Sequence, residues 1–326
     1  MTAIWLGQPL TVSNSEIQTF KSCRRKWYLA YYREKGLKRS GARATGAREL
    51  GTRVHIALQA MYGEGLNPVD VVNNVYQLDA DALEAEGRAA DIVELRKEQL
   101  MAVAMLEGYT DWLEETGSDE GIEVVAVETV IDVPSKVEGV RMRGKLDQRV
   151  VRKSDNARLF LDHKTVASLT EPAKILPMDE QMKFYHLLER LDSLYQTGND
   201  EPPWHTDGGL YNMLRKVKRT AAAKPPFYGR LEVRHNRTEI QNMWVRVHKI
   251  LEEIVETRQG LDVGADHQYV CPPRPSRDCT WSCDFFAMCS MMDDGSDWEG
   301  LLNEYYTHVD PHERYHEEDE GKVEAS

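Results

Sequence analysis

The spacing of apolar residues changes twice along the chain. From Ser13 to Tyr32, Ile17, Phe20, Trp27 and Tyr31 recur at helical intervals behind Ser13 or Ser15 as N-cap, which predicts one helix over 13–32. A second helix begins near Ala47 and closes with "ALQAMYGEG". Residues Pro68–Thr116 read as mostly helical, with a stop at Gly117. The pattern then shortens to that of strands in "IEVVAVETVIDV" (Ile122–Val133), "VRMRGKLDQRVV" (Val140–Val151) and "ARLFLDH" (Ala157–His163). The connections "PSKVEG" and "RKSDN" carry turn residues, so an antiparallel meander is expected. A helix over about Met178–Tyr195, a strand over Gly208–Leu214 and a long helix over Arg237–Gln259 complete the series. Ile240, Met243, Val247, Ile250 and Ile254 line one side of that last helix. Helix, three strands, helix, strand is the order of an α/β core with a long helical insertion before it.

The chain has 326 residues, enough for one large domain or two ordinary ones. No apolar run approaches the ~20 residues of a membrane helix. The start, "MTAIWLGQPLTVSNSE", has no basic n-region, so a cytoplasmic location and no membrane partner are expected. Net charge is −13, which by itself argues against nucleic acid. Its distribution alters that picture. Eleven basic residues from Lys21 to Arg53 face only Glu34 and Glu49, and Arg215–Arg237 contains Glu232 as its only acid. The choice lies between a DNA footprint and two solvated faces.

The stretch Leu159–Thr165, "LFLDHKT", ends a strand with Asp162 and Lys164 two apart, hence on one face. Asp147 lies in the preceding strand, and pairing through "RKSDN" would bring it toward Asp162. Two converging carboxylates repel unless one is protonated or a cation lies between them. Oxygen ligands of this kind suit Mg²⁺ or Mn²⁺, and His55, on the helix before, would tilt the choice toward Mn²⁺. Lys164 beside a metal-bound water could orient a nucleophile or stabilise charge on a phosphoryl oxygen. The alternative is a plain Asp162–Lys164 salt bridge and a structural histidine.

Gly51-x-x-x-His55, Gly144-x-x-Asp147, Asp162-x-Lys164-Thr165 and Gln181-x-x-x-Tyr185, in this order, resemble the PD-(D/E)XK nuclease superfamily, in particular its RecB-like branch with the CRISPR-associated RecB-like exonucleases and their phage relatives. The resemblance implies a restriction-endonuclease-like core, a central mixed sheet flanked by helices. It implies His55, Asp147, Asp162 and the backbone carbonyl of His163 as metal ligands, Lys164 as the catalytic lysine, and Gln181 and Tyr185 as residues touching DNA or supporting the site. A helix face packed on the sheet is the other reading of that last pair. The expected activity is a metal-dependent DNA exonuclease preferring single-stranded ends, serving recombination, repair or replication. A structure-specific endonuclease and a non-catalytic DNA-binding accessory are the rivals. Arg215, Lys216, Lys218 and Arg219 would bind phosphates. No GxxxxGK[ST] motif occurs, so helicase work would fall to a partner.

The cysteines are Cys23, Cys271, Cys279, Cys283 and Cys289, an odd set in a chain with no secretory signal, which argues against a disulfide framework. Cys279, Cys283 and Cys289 are close enough in sequence to wrap one metal centre, with Cys271 or Cys23 as the fourth ligand. The resemblance selects Cys23 and a structural [4Fe–4S] cluster. Spacing alone also allows a Cys₄ zinc site. The expected organisation is one domain over 1–306, with a helical part 13–116, a nuclease core 117–260 and a cluster segment 261–292. An acidic, disordered tail over 307–326 would follow.

Overall fold

A computed structural model describes residues 4–5, 8–33, 36–39, 43–195, 204–218, 220 and 222–315. The chain forms two compact units, each drawn from separate stretches of sequence. The first comprises Met1–Ala42, Asp132–Gly144 and Gln241–Ser326, the second Arg43–Ile131 and Lys145–Ile240. One domain over 1–306 was the expectation from sequence.

The second unit holds the α/β core. Its helices are α3 (Ala47–Glu64), α4 (Pro68–Ala85), α5 (Ala89–Thr116), α6 (Thr170–Ile175) and α7 (Glu180–Tyr195). The α4–α5 break falls at Gly87, whose φ of 72° a side chain would resist. β5 (Val140–Arg152) enters from the first unit and runs antiparallel to β6 (Ala157–Val166), with Gln148 opposite Leu161. β6 is parallel to β7 (Gly208–Arg215), which is antiparallel to β8 (Tyr228–Val233), while β4 (Ile122–Pro134) lies against β5. The result is a mixed sheet with helices on it, and the expected meander is present. β8 escaped the sequence reading because its residues sit in the basic stretch after "KPPF". β7 is buried along nearly its whole length, as a parallel neighbour inside a sheet requires. Gly209 makes that possible, since a Cβ there would come within 2.5 Å of Phe160 and 2.7 Å of Met182. Leu50, Val54, Leu58, Val72, Tyr76, Leu95, Met105, Leu106 and Tyr109 bury the helical stripes of α3, α4 and α5 against one another and against Leu214 and Tyr228.

In the first unit β2 (Gln8–Ser13) pairs with β1 (Ile4–Trp5) and runs parallel to the start of β5. The single helix expected over 13–32 is broken. α1 (Asn14–Ser22) is capped by the Ser13 side chain. Cys23 is extended, with φ −161° and ψ 113°. α2 (Arg24–Trp27) and a π-helical turn, Tyr28–Tyr32, follow. Phe20, Trp27 and Tyr28 are buried and fill core. Much of the first basic stretch is also absorbed: Arg24 pairs with Glu253, Arg33 with Glu299, and Arg25 is buried. Arg53, in the second unit, is held between Asp79 and Glu98.

The expected tail from 307 on is corrected in its first part. β9 (Tyr306–His308) pairs antiparallel with β3 (Leu37–Arg39), and Tyr315 is buried. His312 lies 3.5 Å from Glu16, a fully buried carboxylate that also accepts from Trp27 Nε1 and Arg258. Residues 316–326 lie outside the described residues. Among the described residues no helix is long and apolar enough to cross a membrane.

One buried pair in the second unit makes stability depend on pH. The rings of His186 on α7 and His235 lie 5.9 Å apart, both nearly excluded from solvent. Burial, the facing His235 and Arg190 hold His186 at about 4, against an ordinary 6.5, while Asp207 and Glu239 only partly oppose them. His235 is lowered likewise by burial and by Lys183, with Glu239 and Asp179 opposing. The folded state therefore binds fewer protons than the unfolded one between those values. The contribution is complete above 6.5 and is lost as pH falls toward 4, about 3 kcal/mol for a shift of that size. Urea unfolding of wild type and His186→Phe from pH 7.5 to 4.5 is expected to show a shallower acid loss in the variant. Identical slopes would remove the pair from the account.

Candidate active site

Four elements of the second unit place the residues. β5 supplies Asp147, β6 supplies Asp162, His163 and Lys164, α3 supplies His55, and α7 supplies Gln181 and Tyr185. α3 can lie close to β6 because residue 51 is glycine. A Cβ there would come to 3.2 Å from Thr165 Oγ1. One turn further along α3, His55 Nδ1 stands 3.5 Å from Asp147 Oδ2. The same Asp147 oxygen accepts the His163 backbone N–H at 2.6 Å. Lys164 Nζ lies 2.8 Å from Asp162 Oδ2 and donates to Oδ1 at 3.0 Å. The plain salt bridge is thus present, and it is part of a larger arrangement.

The two carboxylates are driven apart electrostatically. Burial acts to raise Asp147, yet His55, with His163 and Lys164, holds it below the ordinary range. Asp162 moves the other way, raised first by burial and then by the charge of Asp147, against the pull of Lys164. Burial lowers Lys164, but Asp162, Tyr185 and Asp147 more than compensate, and it stays a cation. Asp162 Oδ2 is buried and, although close to Lys164, lacks hydrogen-bond geometry. An anionic oxygen of that kind is costly to leave alone.

Behind the carboxylates lies a network the sequence did not suggest. His163, expected to matter through its backbone alone, is 3% exposed, with Gln148 on one ring nitrogen at 3.0 Å and Asn212 on the other at 2.9 Å. Asn212 accepts from Arg230 Nε through its oxygen, so its amide nitrogen faces His163 Nδ1 and makes that atom an acceptor. The ring proton then sits on Nε2, and turning the Gln148 amide over presents its otherwise unpaired oxygen to it. Burial, joined by the charges of His55 and Arg230, keeps the ring neutral, at about 3. Tyr62 stacks on it, and Arg230 closes the network on Asp119 and Tyr109.

Glu128 is a further residue that sequence reasoning missed. It takes φ 50° inside β4, pairs with Lys145 at 2.8 Å, and is raised by burial and by Asp147. The available signal was Lys145, two before Asp147 and so on the same face of β5.

A family model described as the PD-(D/E)XK nuclease superfamily matches residues 11–290. The chain belongs to the PD-(D/E)XK nuclease superfamily. Members of the superfamily are generally nucleases and usually use Mg²⁺ or Mn²⁺. No curated protein matches the chain. A solved structure titled "Crystal structure of SSO0001" is similar at a TM-score of 0.31 and 15% identity, over 64% of this chain and 79% of that one. A likeness at that level carries no argument here.

As donors for the superfamily's usual cation, Asp147, Asp162 and His55 have the right chemistry, and the buried, unbonded Asp162 oxygen is an atom a cation would satisfy. Among the described residues, no three His, Cys, Asp or Glu side chains are already gathered around one point. Asp162 is turned to Lys164 and Asp147 to the His163 amide. On α7, Tyr185 lies between the sheet and the carboxylates. Its ring packs edge-on to Phe160 at 6.1 Å, while its hydroxyl, accepting from Gln181 at 2.8 Å, is held up by burial and by Asp162. Arg215 donates to the Lys224 carbonyl at 3.1 Å, Lys216 is half-buried, and Lys218 is exposed. Arg219 lies outside the described residues.

Four of the five cysteines, Cys23, Cys279, Cys283 and Cys289, line one cavity of the first unit, of about 310 Å³. The break at Cys23 turns its sulfur toward the Arg274 N–H at 3.5 Å. Cys279 accepts from the Ser276 N–H at 3.3 Å, Cys283 from the Phe285 N–H, and Cys289 from Arg25 at 3.6 Å. Such N–H donors are what thiolates bound to a metal centre accept. Cys271 is buried outside the cavity, and burial pushes its thiol up to about 12. These four thiols are likewise not drawn together around one point.

Proposed function

We propose that the protein is a divalent-metal-dependent exonuclease that hydrolyses DNA phosphodiester bonds from single-stranded ends. The observation that carries this reading is the approach of Asp147 on β5, Asp162 and Lys164 on β6 and His55 on α3, within a superfamily of nucleases. His55, Asp147, Asp162 and the His163 carbonyl would hold Mg²⁺ or Mn²⁺, which would supply Lewis-acid chemistry to the hydrolysis. Lys164, charged and a quarter exposed, stabilises a phosphoryl oxygen. The neutral His163 ring keeps a further cation away from the carboxylates. Gln181, Tyr185, Arg215, Lys216, Lys218 and Arg219 meet the DNA, and the lack of a base-reading motif favours phosphate contacts over sequence specificity. The activity fits recombination, repair or replication in a cytoplasm, a phage-infected host included, beside a separate helicase. The four-cysteine cavity carries a [4Fe–4S] cluster, with structural Zn²⁺ as the competing occupant.

The test uses linear and circular single-stranded DNA with Mn²⁺, the linear strand labelled at the 5′ or the 3′ end. Linear DNA is expected to shorten from an end while circles survive. Circles cut at the linear rate would establish the endonuclease reading. Tight binding with no cleavage of either would establish the accessory one.

A further inference from the structure

We propose that Arg25 is the hydrogen-bond donor that stabilises electron uptake by the four-cysteine centre, and that Asp293 opposes it. The inference rests on the iron–sulfur reading of that cavity. Arg25 is 2% exposed, and it lines the cavity with Cys23, Cys279, Cys283 and Cys289. Its Nη1 donates to the Cys289 carbonyl at 2.9 Å and reaches Cys289 Sγ at 3.6 Å. Its Nη2 donates to Asp293 at 2.8 Å and to the Gln268 oxygen. Its Nε is buried without a hydrogen-bond partner. A buried guanidinium needs anionic compensation. Among the described residues its carboxylate partner is Asp293, which is 54% exposed and largely screened by water. The remaining anionic group within reach is Cys289 as a metal-bound thiolate, and the spare Nε–H faces the same need for an acceptor. Lys26 and Arg274 also line the cavity, but Arg274 is exposed and Lys26 partly so, which weakens their fields there.

Reduction adds one electron from an external donor, here dithionite, and makes the centre one unit more negative, with no bond broken and no proton moved. A buried positive charge on a ligating sulfur favours the reduced form. Removing it disfavours reduction, and removing the negative charge that offsets it does the reverse. Two variants should therefore move in opposite directions.

The experiment is a dithionite titration of the anaerobically purified full chain, followed by visible absorption and electron paramagnetic resonance, with iron and acid-labile sulfide assayed in each sample. At a fixed solution potential, Arg25→Gln is expected to lower the ratio of reduced to oxidised centre about tenfold, which is about 59 mV for one electron. Asp293→Asn is expected to raise the ratio a few-fold. Shifts in opposite directions with iron content unchanged support the assignment. Full iron content with no shift, or with both variants shifting the same way, overturns it. If Arg25→Gln does not fold, Asp293→Asn decides alone, because its half-exposed side chain can lose its charge without opening the core. Zinc in place of iron and sulfide in the wild type would overturn the cluster reading and this inference with it, an outcome distinct from iron present without a shift.

Discussion

Replacing Lys164 with alanine is expected to slow Mn²⁺-dependent degradation of single-stranded DNA by about 10²–10³-fold, the usual cost of losing one group that stabilises transition-state charge. The fold should survive. Lys164 is a quarter exposed, and among the described residues its ion-pair partner is Asp162. Asp162 is already raised by burial and by Asp147, so without Lys164 it can take a proton instead of remaining an unpaired buried anion. Circular dichroism and melting of Lys164→Ala should stay near wild type while the rate collapses. Lys164→Arg restores the charge with a bulkier, planar group and should recover only part of the rate. Equal rates for wild type and Lys164→Ala would end the catalytic assignment and leave the salt bridge as the whole explanation of "DHK".

Cys283→Ser is expected to have the largest effect on stability. The wild type should be brown and bleached by dithionite, and the variant colourless. The cavity thiols come from α1–α2 and from the C-terminal segment, so a shared centre joins stretches some 250 residues apart in sequence, as the Arg274–Cys23 contact illustrates. Metal-binding energy is then folding energy. Its loss should cost several kcal/mol, lowering the melting temperature by roughly 10 °C at this size. Cys271→Ser is the control. Its thiol is buried, does not line the cavity and is kept protonated by burial, so colour should remain. Colour kept in Cys283→Ser, or lost in Cys271→Ser, would remove the four-cysteine assignment.

The candidate site was legible wherever its geometry is local. Asp162 and Lys164 share a face because a strand repeats every two residues, and Gln181 meets Tyr185 because a helix turns in about four. Asp147 followed from one short connection between two antiparallel strands. Glu128 did not, because its approach depends on a left-handed residue inside a strand that spacing alone would make regular. Asn212 and Arg230 did not, because they reach His163 only once β7 and β8 have been laid beside β6. The partners of the basic stretch from Lys21 were hidden for a related reason. Counting charges cannot reveal that Arg24, Arg25 and Arg33 have acids waiting for them in the last third of the chain.

By itself the sequence determined the main helices and the strands β4 to β7, the α/β class, the faces of β5, β6 and α7, and the set of side chains able to do metal chemistry. These depend on backbone periodicity and on residue type, and both act over a few neighbours. The tertiary structure alone decided where the helix from Ser13 stops, which arginines are buried, and that the tail from Tyr306 pairs with Leu37–Arg39. It also decided that the His163 ring is neutral and locked. Each of these is settled by desolvation. A polar group removed from water must find a partner, and the chain brings that partner from wherever the fold has placed it.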